Sequence, residues 1–289
     1  MNDKNKSRPK CGGGDCANGT ESSALDLKAE NIKRSLSQIR HKLIVMSGKG
    51  GVGKSSVSAG LATQLVDSGY RVGLLDVDIH GPSLAGIMGV KGLLDVSAEK
   101  KIMPHQVSER LKVVSMQSLM QDSDRAVIWR GPAKSGVIKQ FIGDVLWGDL
   151  DFLIIDAPPG TGDEPLSVAQ TIPEAKALIV TTPQDVALAD VRKSINFCRV
   201  INLAILGLVE NMGPFQCPCC GKTVTLFKSG GGRSTADQME VSFLGTLPFD
   251  PQVVKAGDSG QPMTLKISAA AFAGAMTDIV GKIVESLSL

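Results

Sequence analysis

Two kinds of apolar run alternate along the chain. Short blocks are apolar almost throughout: Leu43–Ser47, Arg71–Asp76, Val113–Met116, Phe152–Asp156, Ala177–Thr182, Leu206–Asn211 and Phe243–Leu247. Their length and continuous apolar character predict strands covered on both faces. Longer stretches with helical spacing lie between them: Lys54–Asp67, Ala133–Trp147, Glu164–Thr171, Asp185–Ile201 and Gly232–Glu240. This alternation predicts an α/β fold, a mostly parallel twisted sheet with helices on both faces. Ligands of such sheets bind beyond the carboxyl ends of the strands. Apolar residues at 25, 27, 32, 36 and 39 predict a leading helix over Leu25–Arg40. The last segment, Thr264–Leu289, carries an apolar stripe at 267, 271, 272, 276, 279, 280, 283, 284 and 287. Its only basic residues are Lys266 and Lys282, too few for a helix lying on a membrane surface, so it should pack on the sheet.

The polar, glycine-rich residues 1–24 cannot bury enough surface to order themselves and predict a flexible tail, which carries Cys11 and Cys16. Residues 25–289 then form a single domain. Composition narrows the function classes. The 289 residues are 43% hydrophobic and 21% charged, with a formal charge of only +2, so no nucleic-acid footprint is expected. Aromatic content of 4% also argues against base-stacking platforms. No apolar run reaches the ~18 residues of a membrane span and the N-terminus is polar, which predicts a cytoplasmic protein with no membrane partner. Six cysteines in such a chain point to metal or redox chemistry before disulfides.

The first candidate chemistry follows the first strand. Leu43-Ile44-Val45-Met46 breaks into Ser47-Gly48-Lys49-Gly50-Gly51-Val52-Gly53-Lys54-Ser55-Ser56, and Gly48, Gly53, Lys54 and Ser55 match G-x-x-x-x-G-K-S/T without a gap. Glycines let the loop turn with positive φ and bring backbone N–H groups against phosphate oxygens. The free amides and partial positive charge of the next helix complete an anion cradle. Residues 48–56 are therefore the predicted nucleotide-binding loop of a P-loop NTPase, with Lys54 reaching the outer phosphates and the Ser55 hydroxyl ligating Mg²⁺. Lys49 is a second lysine that the pattern does not require; taken alone it also fits a solvated loop charge.

Two further strands end in carboxylates. Asp76 and Asp78 close one in D-x-D spacing, and period-two geometry turns both toward the loop after the strand. One of them can orient an attacking water or hold a water of the Mg²⁺ shell; the alternative is an acid-capped turn. Phe152-Leu-Ile-Ile-Asp156 has the form of a Walker B strand, its Asp156 bound to Mg²⁺ directly or through water. The following Ala157-Pro-Pro-Gly-Thr-Gly-Asp163 is a stiffened loop suited to sensing a γ-phosphate. Asn211 lies at another strand end, where its amide can offer a donor and an acceptor to a purine edge; a turn-forming Asn is the alternative. Pro248–Pro251 can close the same pocket.

Cys217-Pro-Cys219-Cys220 contains C-x-x-C spacing, which aims two thiolates at one soft metal or cluster from a loop at about 212–228. One pair supplies half of a tetrahedral site, and His41, His80 and His105 are far away in sequence. A homodimer would supply four thiolates. A zinc site shared between subunits has the same ligand count, a thioredoxin-like redox pair should open a helix instead, and Cys219 can replace either neighbour. Cys198, in an apolar helix, reads as a small buried hydrophobe.

KGGVGKS, DVDIHGPS, DAPPGTGDE, VENM and CPCC, in that order, resemble the Mrp/ApbC-type iron–sulfur cluster carriers of the deviant Walker A class, which includes MinD, ParA and the nitrogenase iron protein. The resemblance spans about Arg40 to Leu289. It implies a homodimeric ATPase holding a labile [4Fe-4S] cluster at its interface and donating it to apoproteins. It also implies that Lys49 reaches the partner's nucleotide, that Asp78 positions the water with Asp76 in support, that Asn211 contacts adenine, and that Cys217 and Cys220 are the ligand pair. Cys11 and Cys16 are similar to a shortened version of the N-terminal cluster motif of some related scaffolds. Hydrolysis should be slow, as no arginine finger stands out. The competing expectation is a MinD- or ParA-like positioning ATPase with structural zinc.

Overall fold

A computed structural model describes residues 29–78, 81–99, 101–119, 131–217, 219–262 and 270–288. The tail with Cys11 and Cys16, and the Ile79-His80 pair, lie outside the described residues. Among the described residues the sheet has eight strands in the order β10-β7-β6-β1-β5-β2-β4-β3. They are β1 (Ile39–Ser47), β2 (Val72–Asp76), β3 (His105–Ser108), β4 (Leu111–Ser115), β5 (Leu150–Asp156), β6 (Lys176–Thr181), β7 (Ala204–Gly213) and β10 (Phe243–Pro248). All pairings are parallel except that of edge strand β3 with β4. A separate antiparallel ribbon joins β8 (Phe215–Gln216) to β9 (Thr223–Val224).

Period-two alternation explains why the strands read as continuously apolar. In β1, Leu43 and Val45 enter the core on one face, and Ile44 and Met46 enter the core on the other. The first face is covered by α2 (Lys54–Asp67), the short α3 (Leu84–Ile87), α8 (Pro251–Asp258) and α9 (Ala270–Ser286). The second is covered by α4 (Gly131–Asp144), α5 (Asp163–Thr171), α6 (Asp185–Val200) and α7 (Gly231–Gln238). Two cores of this kind bury apolar surface on both sides of one sheet, the arrangement that the βαβα alternation requires.

All seven expected strands and the five expected inter-strand helices are present, with α2 at its expected bounds. The leading helix needs correction: it occupies 29–37 (α1), and Ile39 and Arg40 begin β1, where Ile39 pairs with Leu150. Ile39 satisfied a helical spacing, but the ladder with β5 decides its conformation. In α9, Phe272, Met276, Ile279, Val280 and Ile283 are buried in the core shared with α2 and β10, as its stripe predicted. No helix among the described residues is long and apolar enough to cross a membrane.

Candidate functional site

The glycine loop leaves central strand β1 and enters α2 with Gly51 and Gly53 at φ of 79° and 80°. Among the described residues no side chain caps α2, and its first turn holds no acid, so its terminal N–H groups are available to an anion. A Cβ on Gly50 or Gly51 would meet nothing among the described residues. Gly48 differs: a Cβ there would lie 2.4 Å from the Asp190 backbone of α6. Its glycine serves close packing. Lys49 is half-buried, and its carbonyl accepts a 3.0 Å bond from Ser47 Oγ.

Beneath the loop, Asp156 gathers the start of α2. Ser55 Oγ donates to its Oδ2 at 2.6 Å and Ser58 Oγ to its Oδ1 at 2.7 Å. Lys54 Nζ lies 2.8 Å from Oδ2, a charge contact rather than an aligned hydrogen bond, and both residues are buried. A hydroxyl, a carboxylate and an ammonium thus meet at the mouth of an anion cradle. The Ser55–Asp156 oxygens are hard donors of the type Mg²⁺ takes.

Asp76 sits beside Asp156 in register on β2. It is fully buried, and its oxygens accept from Asp78 N at 3.1 Å, Leu84 N at 3.2 Å and Ser115 Oγ at 3.0 Å. Burial, and then the charge of Asp156, push its carboxyl up to about 7, against the lowering pull of the Asp78 N–H, Lys54 and Ser115. Asp78 is less enclosed; its Oδ1 accepts from Gly81 N at 3.2 Å. The loop after β5 is tied to the strand that carries the glycines, with Gly160 N donating to Ser47 O at 2.8 Å. Asn211 is buried against the glycine loop, its Nδ2 donating to Val52 O at 2.9 Å across 159 positions of sequence.

The cysteine hairpin is built differently. Strand β7 continues through Phe215–Gln216 into a tight turn, where Gly221 N donates to Cys217 O at 2.8 Å and Cys217 N to Lys222 O at 2.9 Å. Gly221 takes the left-handed conformation, φ 70°, that closes the turn. The Cys217 thiol is held below the usual thiol range by the backbone N–H groups of Cys219 and Cys220, then by the Cys220 thiol, with burial opposing. Amides aimed at a sulfur are the environment a metal-bound thiolate uses. Cys217 is half-buried and Cys219 and Cys220 are exposed. Among the described residues no three His, Cys, Asp or Glu side chains are grouped to hold one ion, so the hairpin offers a partial ligand set. Cys198 is buried, 3.8 Å from Met46 Sδ, and burial pushes its thiol up to about 11.

The family profile described as ParA, NUBPL iron-transfer P-loop NTPase matches residues 38–284. The chain belongs to this family. An iron-sulfur cluster carrier protein of Methanocaldococcus jannaschii is 46% identical over 235 residues, 81% of each chain. The cytosolic Fe-S cluster assembly factor CFD1 of Kluyveromyces lactis is 49% identical over 231 residues, 78% of this chain and 82% of CFD1. A solved nucleotide-binding protein of Archaeoglobus fulgidus, in complex with ADP, superposes with a TM-score of 0.73 at 39% identity, covering 83% of this chain and 94% of that one.

In this member of the iron-transfer P-loop NTPases, the structure brings Lys54, Ser55, Asp76 and Asp156 together, with Asp78 beside them and Asn211 against the loop. Cys217 and Cys220 stand apart on the ribbon. Three residues went unread from sequence. Ser58 lies one helical turn after Lys54, a spacing that puts it on the same face and was available as a signal. Ser115 reaches Asp76 only through strand pairing. Glu210, buried, accepts from Gly232 N at 2.5 Å and Thr246 Oγ1 at 3.4 Å and pins the end of β7.

Proposed function

We propose that the protein is an ATP-dependent iron–sulfur cluster carrier in which two copies share one [4Fe-4S] cluster and pass it to apoproteins. The observation that carries this reading is the coexistence, in one chain, of a complete phosphate cradle and an incomplete metal site. The loop 48–56 binds the triphosphate through its amides, and Lys54 neutralises the outer phosphates. Ser55 and Asp156 hold Mg²⁺, with Asp76 behind them; the ion, when bound, offsets developing phosphate charge. Asp78, the carboxylate at the open side of the cluster, positions the attacking water. Lys49 extends toward a partner's nucleotide, so that the triphosphate draws two copies together.

The cluster is the cargo. Cys217 and Cys220 from each copy supply the four thiolates that a [4Fe-4S] cluster requires. Relatives named for cluster carriage and cluster assembly support that cargo over zinc. Anaerobic reconstitution with iron and sulfide, followed by iron and sulfide analysis, should give about one cluster per two chains. The Cys217→Ala/Cys220→Ala variant should hold none. Full cluster content in that variant contradicts the reading.

A further inference from the structure

Resting on the reading of both sites above, we propose that Asn211 is the positioning residue through which the phosphate loop governs the cysteine hairpin of the same subunit. The two sites share one strand. Asn211 stands near the end of β7, and Met212–Gln216 lead directly from it to Cys217.

Contact at the loop end leaves no slack. Asn211 Nδ2 donates to Val52 O at 2.9 Å, and a Cβ on Gly53 would lie 2.3 Å from the same nitrogen and 3.7 Å from Met212 Cε. Any shift of the glycine loop toward β7 as its amides turn onto phosphate therefore meets Asn211 and Met212 first. Close-packed groups transmit such a shift rather than absorb it.

Met212 is the point that yields. It has φ 59°, a left-handed conformation unusual for a side chain of this length, immediately beyond Asn211. On its inner side β7 is fixed by the Glu210 carboxylate, bonded to Gly232 N and Thr246 Oγ1. On its outer side Gly213 is wedged against Thr246, where a Cβ would lie 2.3 Å from Cγ2, and its carbonyl accepts from Phe249 N at 3.0 Å. Phe215 then packs on Phe249 with ring centroids 5.5 Å apart. A firm strand, one strained residue and a clamped ribbon form a continuous path from Val52 to Cys217. The bond to Val52 uses one N–H of the Asn211 amide, so it is compatible with the purine contact expected of the same side chain.

The test uses the full-length, cluster-free protein with Mg²⁺–ATP, Mg²⁺–ADP or no nucleotide. Alkylation of the 217–220 thiols by iodoacetamide is followed by peptide mass spectrometry, and nucleotide affinity by calorimetry. In the wild type the alkylation rate should differ about five-fold or more between nucleotide states, the lower range of allosteric couplings. In Asn211→Ala, at nucleotide concentrations that calorimetry shows to be saturating for the variant, the rate difference should disappear. A merely structural Asn211 would lower melting temperature and leave the rate ratio intact; that ratio persisting in a nucleotide-binding variant overturns the proposal. Wild-type hydrogen exchange covers the case of a variant that does not fold. Amides of 215–224 should change protection on nucleotide binding, and equal protection in all states overturns the proposal. A wild type that assembles a cluster yet shows neither response refutes this coupling alone. Failure to assemble a cluster refutes the function proposed above.

Discussion

The glycine loop and the cysteine hairpin are both short turns closed by left-handed glycines, yet they are held by opposite means. Around the loop, Lys54, Asp76 and Asp156 are buried, and each carboxylate is met by several donors. Around the hairpin, Cys219 and Cys220 are exposed, and the amides there aim at one sulfur. A site that binds a large, charged ligand by its backbone gains from being built before the ligand arrives. A site that must give up its cargo gains from being open and, within one chain, incomplete. Under the proposed function, the contrast makes the first site a property of the fold and the second a property of the assembly.

The largest difference should come from removing charge at the buried end. Lys54→Ala leaves Asp156 buried without its cation, which should cost roughly 3–5 kcal/mol in urea unfolding and abolish nucleotide binding. Lys222→Ala on the exposed hairpin should stay within about 0.5 kcal/mol. A small loss at Lys54 would erase the contrast.

Glycine substitutions sharpen it, since both positions have the same hand of backbone. Gly221 is at φ 70° with nothing among the described residues near its would-be Cβ, so Gly221→Ala should cost about 1–2 kcal/mol from backbone strain alone. Gly53, at φ 80°, would drive a Cβ into Asn211, and Gly53→Ala should lose roughly 2–4 kcal/mol as overpacking adds to strain. Equal losses by chemical denaturation would show that the loop has room to relax.

Protons test the buried side next. The Asp76 carboxyl at about 7 lies above its ordinary 3.8, so the folded state holds a proton that the unfolded state releases. Stability from this group is full below about pH 4 and is lost as pH rises toward about 7. Unfolding of the nucleotide-free protein without Mg²⁺ at pH 5 and pH 7.5 should show that decline, and Asp76→Asn should flatten it. An unchanged slope in the variant would remove Asp76 as its source. The smallest effect is expected at the thiols. Cys217→Ala/Cys220→Ala should unfold within about 0.5 kcal/mol of wild type. In the wild type iodoacetamide near pH 7 should reach Cys217 well before the buried Cys198.

Much of this contrast was legible in the residues themselves. The apolar blocks marked the strands because parallel strands covered on both faces cannot alternate with polar residues, and Lys54–Asp67 declared its start through the glycines before it. Asp156 was legible as a strand-end acid. Its grip on Ser58, and that of Ser115 on Asp76, depend on elements that meet only in the folded sheet. Helix α8 carried a signal that went unused: Asp250 caps it by accepting from Gln252 N at 2.9 Å, with Pro251 in its first turn. Asn211 was legible as a strand-end amide, but no local pattern encodes a bond to Val52 made 159 positions away. Strand β3 and the β8–β9 ribbon are too short to leave a period.

Native mass spectrometry of the protein reconstituted under strictly anaerobic conditions with Mg²⁺ and ATP weighs the central claim most directly. The account predicts a particle of two chains carrying one [4Fe-4S] cluster, and bare chains for Cys217→Ala/Cys220→Ala. A single chain that carries a whole cluster of its own, or a dimer whose cluster survives loss of both cysteines, would contradict it.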